Sequence, residues 1–172
     1  EIFPNASVIF GGINDFHPDM IADQPRITGV SQNLDFLGTL EMARRLHPEA
    51  KRVLVVHDYS ISGQAVHREV EAVKPQIAGQ IELFHPDDGT FADLTYDLQS
   101  LPPDSLVILM IYVTDRGGQV FSRARITEMI SMVSPAPVYA THKVSLGHGI
   151  VGGMLLDGEE HGRQVAGLAL KV

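Results

Sequence analysis

Leu106–Val113 reads LVILMIYV, an apolar run without a single charge. Such a run suits a strand buried on both faces, as the strands of a parallel sheet are. Upstream, Val53–His57 (VLVVH) has the same character. Between them the pattern changes period. Ser62–Lys74 carries Val66, Val70 and Val73 at helical spacing and stops at Pro75. Ile81–Phe84 reads as a strand. Thr90 and Asp93 have the spacing of a helix cap, ahead of a stripe of Phe91, Leu94, Leu98 and Leu101 that Pro102-Pro103 ends. Before VLVVH, the stretch Asn33–His47 repeats Leu34, Leu37, Leu40, Ala43 and Leu46 on one helical face and stops at His47-Pro48. After LVILMIYV, Ser122–Val133 is helical, Pro137–Ala140 is a strand, Gly149–Leu156 is strand-like and Glu159–Leu170 is a last helix with acids at its start. From Asn33 to Ala140 strands and helices alternate, which predicts an α/β fold with a parallel sheet flanked by helices. The head departs from that unit. Ser7–Gly11 and Arg26–Val30 are two short strands with no helix between them.

The chain has 172 residues, about one domain's worth, of which 44% are hydrophobic and 20% charged. That is enough apolar side chain to offset the entropy of ordering the chain, so an ordered chain is expected. Thirteen basic and 21 acidic residues leave a net charge of −8. Without a basic run, a nucleic-acid partner is not expected, because phosphate affinity comes from clustered Lys and Arg. The apolar runs are far shorter than the ~20 residues of a membrane helix. No signal-peptide pattern opens the sequence. Cysteine is absent, which removes disulfides, thiolate metal sites and Cys nucleophiles.

Open α/β sheets bind ligands at the carboxyl ends of their strands. The polar residues at those positions are Asn14 and Asp15, then Ser31 and Gln32, then Asp58, Tyr59 and Ser60, then Thr114, Asp115 and Arg116, and finally Thr141, His142 and Lys143. Any one of them is also an ordinary turn or cap residue. Other chemistries find less support. Gly147, Gly149 and Gly152 match G-x-G-x-x-G, but an apolar strand-like run follows where a dinucleotide site needs a helix. The eight histidines are scattered and lack the helical spacing of a metal site; His47, His67 and His161 read as solvated helix residues, so no metal is expected. Ser60 near His57 lacks the G-x-S-x-G elbow of a hydrolase. A phosphoacceptor receiver would explain Thr114 and Lys143, yet the acidic pair and the central Asp are missing, and the third strand ends as His85-Pro86. No catalytic residue and no cofactor are expected.

Several stretches, in order, resemble the periplasmic-binding-protein-like sensor domains related to ABC-transporter substrate-binding proteins. They are Ser7–Asp15 (SVIFGGIND), Ile27–Gln32 (ITGVSQ), Leu46-His47-Pro48, Val53–Gly63 (VLVVHDYSISG), Leu101–Val107 (LPPDSLV), Pro137–Ala140, Gly147–Gly153 (GHGIVGG), and the last helix with Gly162, Arg163, Ala166 and Leu168–Lys171. The resemblance implies a type 1 periplasmic-binding-protein-like fold, with 1–30 ending the first lobe, 31–141 forming the second and 142–172 returning to the first. The family begins with a further βαβα stretch ahead of SVIFGG, so the first lobe is expected to be incomplete. The implied role is non-enzymatic: an extracytoplasmic, periplasmic sensor of a bacterial two-component protein, a histidine kinase, that closes on a small polar ligand of amino-acid type. Membrane attachment would lie in segments outside this chain, and a homodimer is compatible with it. A transport binding protein is the alternative within the fold. Asn14, Asp15, Ser31, Gln32, Asp58, Tyr59, Ser60, Thr114, Asp115 and Thr141 would supply ligand contacts, with Tyr112 and Tyr139 as flanking rings. Asp58 and Asp115 are equally suited to capping the helices that follow them.

Overall fold

The computed structural model describes residues 6–14, 16–87 and 89–172. The chain falls into two compact units, Leu34–Leu156 and, from its two ends, Glu1–Asn33 with Asp157–Val172. It therefore crosses between them twice.

The first unit carries β1 (Val8–Ile13) and β2 (Ile27–Ser31), which pair in parallel. A 3-10 turn at Pro18–Ile21 lies in the connection between them. The Gly-Gly of the sequence falls inside β1, not after it. The register slips between Gly11 and Ile13, and Gly12 takes a φ of 75°, which an L side chain rarely adopts.

The second unit is a four-stranded parallel sheet. Its strands are β3 (Arg52–His57), β4 (Glu82–Phe84), β5 (Ser105–Ile111) and β6 (Val138–Ala140), ordered β4-β3-β5-β6. Four helices lie among them: α1 (Phe36–Leu46), α2 (Ile61–Val73), α3 (Phe91–Gln99) and α4 (Arg123–Val133). The alternation expected between 33 and 140 is thus present, and VLVVH and LVILMIY are parallel neighbours, with Val53 opposite Leu106 and Val55 opposite Ile108. Every residue of β5 is buried.

Alternate residues of a strand point to opposite faces, so one central strand feeds two cores. Val53, Val55, Leu106, Ile108 and Met110 pack with Leu40 and Ala43 of α1 and Val66 and Val70 of α2. Leu54, Val56, Val107 and Leu109 pack on the other face with Leu94 and Leu98 of α3 and Ile126 and Ile130 of α4. Each such Leu, Ile or Val contributes about 1.5–3 kcal/mol by leaving water. The helix starts are fixed by short polar side chains. Asp35, Ser60 and Ser122 each accept an amide hydrogen bond from the first turn, and Thr90 with Asp93 forms the full reciprocal capping box.

One sequence expectation fails here. Gly149–Leu156 is not a strand; it contributes only isolated parallel bridges, Gly152 with Tyr139 and Leu156 with His142. Gly149 (φ 95°) and Gly153 (φ 154°) break the extended path, and a Cβ on Gly153 would sit 1.8 Å from the Ala140 carbonyl oxygen. Those two bridges also hold residues 142–156 in the second unit, whereas the sequence reading placed them with the first. The helix that follows, α5 (Gly158–Ala169), belongs to the first unit. Its Val165 touches Gly11 closely enough to exclude a Cβ there, and its half-buried His161 accepts the Gly12 amide at 2.9 Å. No helix among the described residues is long and apolar enough to cross a membrane.

Candidate functional site

In the second sheet the chain leaves β3 for β4 on one side, then returns past β3 to β5. The loops after β3 and β5 consequently diverge, and a crevice is expected at their carboxyl ends. Asp58 sits at this point, 3% exposed. One of its oxygens accepts the Val113 amide at 2.6 Å and the Thr114 amide at 3.2 Å. The other accepts the Ser60 amide at 3.0 Å and the Ser60 hydroxyl. Ser60 in turn caps α2 through the Gly63 amide. Asp58 is therefore a brace between the β3 and β5 loops, and it does not cap α2 itself.

Asp115 plays a similar part. It is 3% exposed and accepts the Phe91 amide at 2.9 Å and the Gln119 amide at 2.8 Å, so it holds the start of α3 from a distant loop. The Phe91 amide, foremost among these donors, holds its carboxyl below the usual aspartate range. Thr114 bonds through its own amide to Asp58, and Thr141 is fully buried with its hydroxyl 3.3 Å from His142 Nδ1. Tyr59 is half-buried, and the Arg116 guanidinium lies 4.0 Å from its ring centroid. The space enclosed by Asp58, Tyr59, Tyr112 and Thr114 is about 10 Å³, room for one water. The structure thus brings Asp58, Tyr59, Ser60, Thr114 and Asp115 to one edge of the sheet, with the two carboxylates engaged by backbone amides.

The two tyrosines named as flanking rings are both buried, and Tyr112 also borders the small space beside Asp58. Tyr139 is fully buried under α1, and Tyr112 is 5% exposed and packs on Phe91 and Phe121. In the first unit, Asn14, Ser31 and Gln32 gather at the end of the β1–β2 pair. Ser31 lies opposite Ile13, the Gln32 amide donates to the Ile13 carbonyl at 2.9 Å, and the Asn14 side-chain oxygen is buried without a partner among the described residues. Asp15 lies outside the described residues.

The same edge of the second sheet holds a group that sequence spacing set aside. His57 ends β3, His85 follows β4 directly and His67 lies on α2. All three are half-buried, and one ring nitrogen of each lies within 4.8 Å of the others. His57 Nε2 is 2.9 Å from His85 Nδ1 and 3.0 Å from His67 Nδ1. The outer nitrogens are anchored too. His57 Nδ1 is 3.2 Å from the Asp58 carbonyl, and His85 Nε2 is 3.1 Å from the Glu71 carboxylate. Burial is the main reason that the His57 and His85 rings hold a proton less readily than a free imidazole. His67 is thus not a solvated helix residue. The available signal was topological: residues just past two neighbouring parallel strands meet, whatever their separation in sequence.

A fourth histidine, His142, follows β6 next to Thr141, at a strand end whose polar residues the sequence already marked. His142 is 8% exposed, beside Arg123, and its Nε2 has no partner among the described residues. Burial first, and the Arg123 charge second, lower its pKa to about 4. At the other end of the sheet, His47, Pro103, Ser105 and Pro137 line a cavity of about 320 Å³. No protein-family model matches the chain, and no curated protein matches its sequence.

Proposed function

We propose that this chain is the extracytoplasmic sensing domain of a bacterial two-component signalling protein, a sensor histidine kinase, with a type 1 periplasmic-binding-protein-like fold that closes on a small polar ligand of amino-acid type. The observation that carries the reading is the path of the chain. A parallel α/β unit is inserted into a second one built from both chain ends, with two crossings between them. Two crossings supply a natural hinge, because only a few residues need change conformation for the units to move as bodies. The polar loops at the carboxyl ends of the strands supply hydrogen-bonding groups, and the braces at Asp58 and Asp115 tie those loops to neighbouring elements. Such a domain signals only if the ligand binds the closed form more tightly than the open one. The reading gives the domain no catalytic step and no nucleic-acid partner, and it places membrane attachment and the kinase module in other segments. A transport binding protein would share the same closure.

Thermal melting of the chain against a panel of amino acids and small polar metabolites at millimolar concentration tests the reading. At a hundredfold excess over its dissociation constant a ligand stabilises by about 2.7 kcal/mol, or roughly 5–10 °C for a chain of this size. A panel that leaves the melting temperature unmoved would count against it.

A further inference from the structure

The three histidines at the carboxyl edge of the second sheet pose a problem of proton placement. The Asp58 carbonyl and the Glu71 carboxylate only accept hydrogen bonds. His57 must therefore carry its proton on Nδ1, and His85 on Nε2, to bond them at 3.2 and 3.1 Å. In neutral rings this leaves bare lone pairs on His57 Nε2 and His85 Nδ1, and those two atoms are 2.9 Å apart. His67 Nδ1, 3.0 Å from the same His57 Nε2, can donate a proton to that nitrogen but leaves the His85 Nδ1 lone pair still facing it. Two facing lone pairs at that distance repel unless a cation lies between them, either an added proton or a metal ion.

We infer that His57 through Nε2, and His67 and His85 through Nδ1, form a binding site for a divalent first-row transition-metal ion of the zinc type. The added proton is the poorer solution. One proton shared by His57 Nε2 and His85 Nδ1 would leave the His67 nitrogen outside the bond, whereas a single ion can meet all three rings. A metal takes three neutral imidazoles and needs the lone pairs left as they are. Metal–nitrogen bonds of about 2.0–2.1 Å in tetrahedral array separate the donor nitrogens by about 3.3 Å. The two contacts to His57 Nε2, 2.9 and 3.0 Å, need a few tenths of an ångström of opening to reach that spacing, and the ligand nitrogens of all three rings lie within 4.8 Å of one another.

The outer contacts of the rings are also those of a metal site. Ligating histidines characteristically donate their other ring N–H to a carbonyl or carboxylate, which fixes the tautomer and aims the lone pair. His57 does so to the Asp58 carbonyl and His85 to Glu71. Glu71 is itself held by Lys74 at 2.9 Å. His85 also lines a cavity of about 270 Å³ with Phe84, Asp87 and Asp97, which leaves a way in for the ion. Three imidazoles suit zinc, copper, nickel or cobalt and not magnesium or calcium, which demand oxygen donors. The fourth coordination position falls to water or a donor atom of another molecule. This assignment does not rest on the sensing role, and it holds or fails without it.

Isothermal titration and thermal melting of the whole chain, freed of metal and then given zinc or magnesium alone, test it. Zinc should bind at one equivalent with micromolar or tighter affinity, and a hundredfold excess over the dissociation constant should raise the melting temperature by roughly 5–10 °C. Magnesium should do nothing. His67→Gln and His85→Gln should each weaken zinc at least tenfold, and Glu71→Gln by about tenfold through loss of the aiming contact. His148→Gln, in the half-buried turn after β6, should bind as the wild type does. Two variants on different elements are used so that misfolding of one does not decide the matter. The assignment is overturned if zinc shows no saturable binding beyond magnesium, or if the His67 and His85 variants, folded, bind zinc as the wild type does.

Discussion

Replacing Asp58 by Asn changes one atom and separates a brace from a surface polar group. The carboxylate is 3% exposed and receives four hydrogen bonds, from the amides of Val113, Thr114 and Ser60 and from the Ser60 hydroxyl. An Asn side chain keeps one oxygen. If its NH₂ turns toward Ser60, the Ser60 amide faces another donor; if it turns the other way, the Val113 and Thr114 amides both do. At least one N–H at the sheet edge is left unsatisfied, at about 1–3 kcal/mol. The remaining bonds lose their charge assistance, worth about another 1 kcal/mol in all. The expected loss is therefore about 2–4 kcal/mol with no ligand present, read as a lower urea midpoint at unchanged slope. Asp58→Ala, which removes every acceptor, should lose more. A pure cap would tolerate Asn, because Asn is as good an N-cap as Asp. Unfolding free energies of Asp58→Asn and wild type within about 0.5 kcal/mol, the range of ordinary surface changes, would refute the brace.

Leu109 lies in the middle of β5 and is 4% exposed; Leu109→Asp should leave the chain unfolded by circular dichroism, since an unpaired buried carboxylate costs several kcal/mol. Stability should also fall with acid. His142 titrates at about 4 in the folded chain and at 6.5 when unfolded, so its contribution is complete above pH 6.5 and is lost as the pH falls toward 4, by about 3 kcal/mol. Urea unfolding at pH 7 and near pH 4 checks this, and His142→Gln should flatten the dependence; an unchanged slope in that variant would remove His142 as its source.

The parallel sheet of the second unit was legible because its determinants are local. LVILMIYV carries no polar residue to suggest an exposed face, and Thr90 with Asp93 states a helix start within four positions. Gly149–Leu156 misled for the opposite reason. Its composition is that of a strand, while its path is set by the approach of Gly153 to the Ala140 carbonyl, which no local pattern reports. The strand-end residues were legible as a set but not in their work. That Asp58 bonds Val113, far along the chain, follows only from the β3–β5 pairing. The histidines lay deeper still. A search for helical spacing passes over a site whose members come from a strand end, a helix and the next strand end. Only the pairing of β3 with β4 brings His57 and His85 together.

Closure on a ligand can be measured directly, and the absence of cysteine makes the labelling clean. Arg163 on α5 and Met132 on α4 are exposed positions, one in each unit, at which single cysteines can carry spin labels. The distance distribution is recorded without ligand and with the amino-acid panel at millimolar concentration. A sensor worked by closure predicts that the distribution shifts and narrows when a panel member binds. Binding that raises the melting temperature while the distribution stays where it was would contradict it.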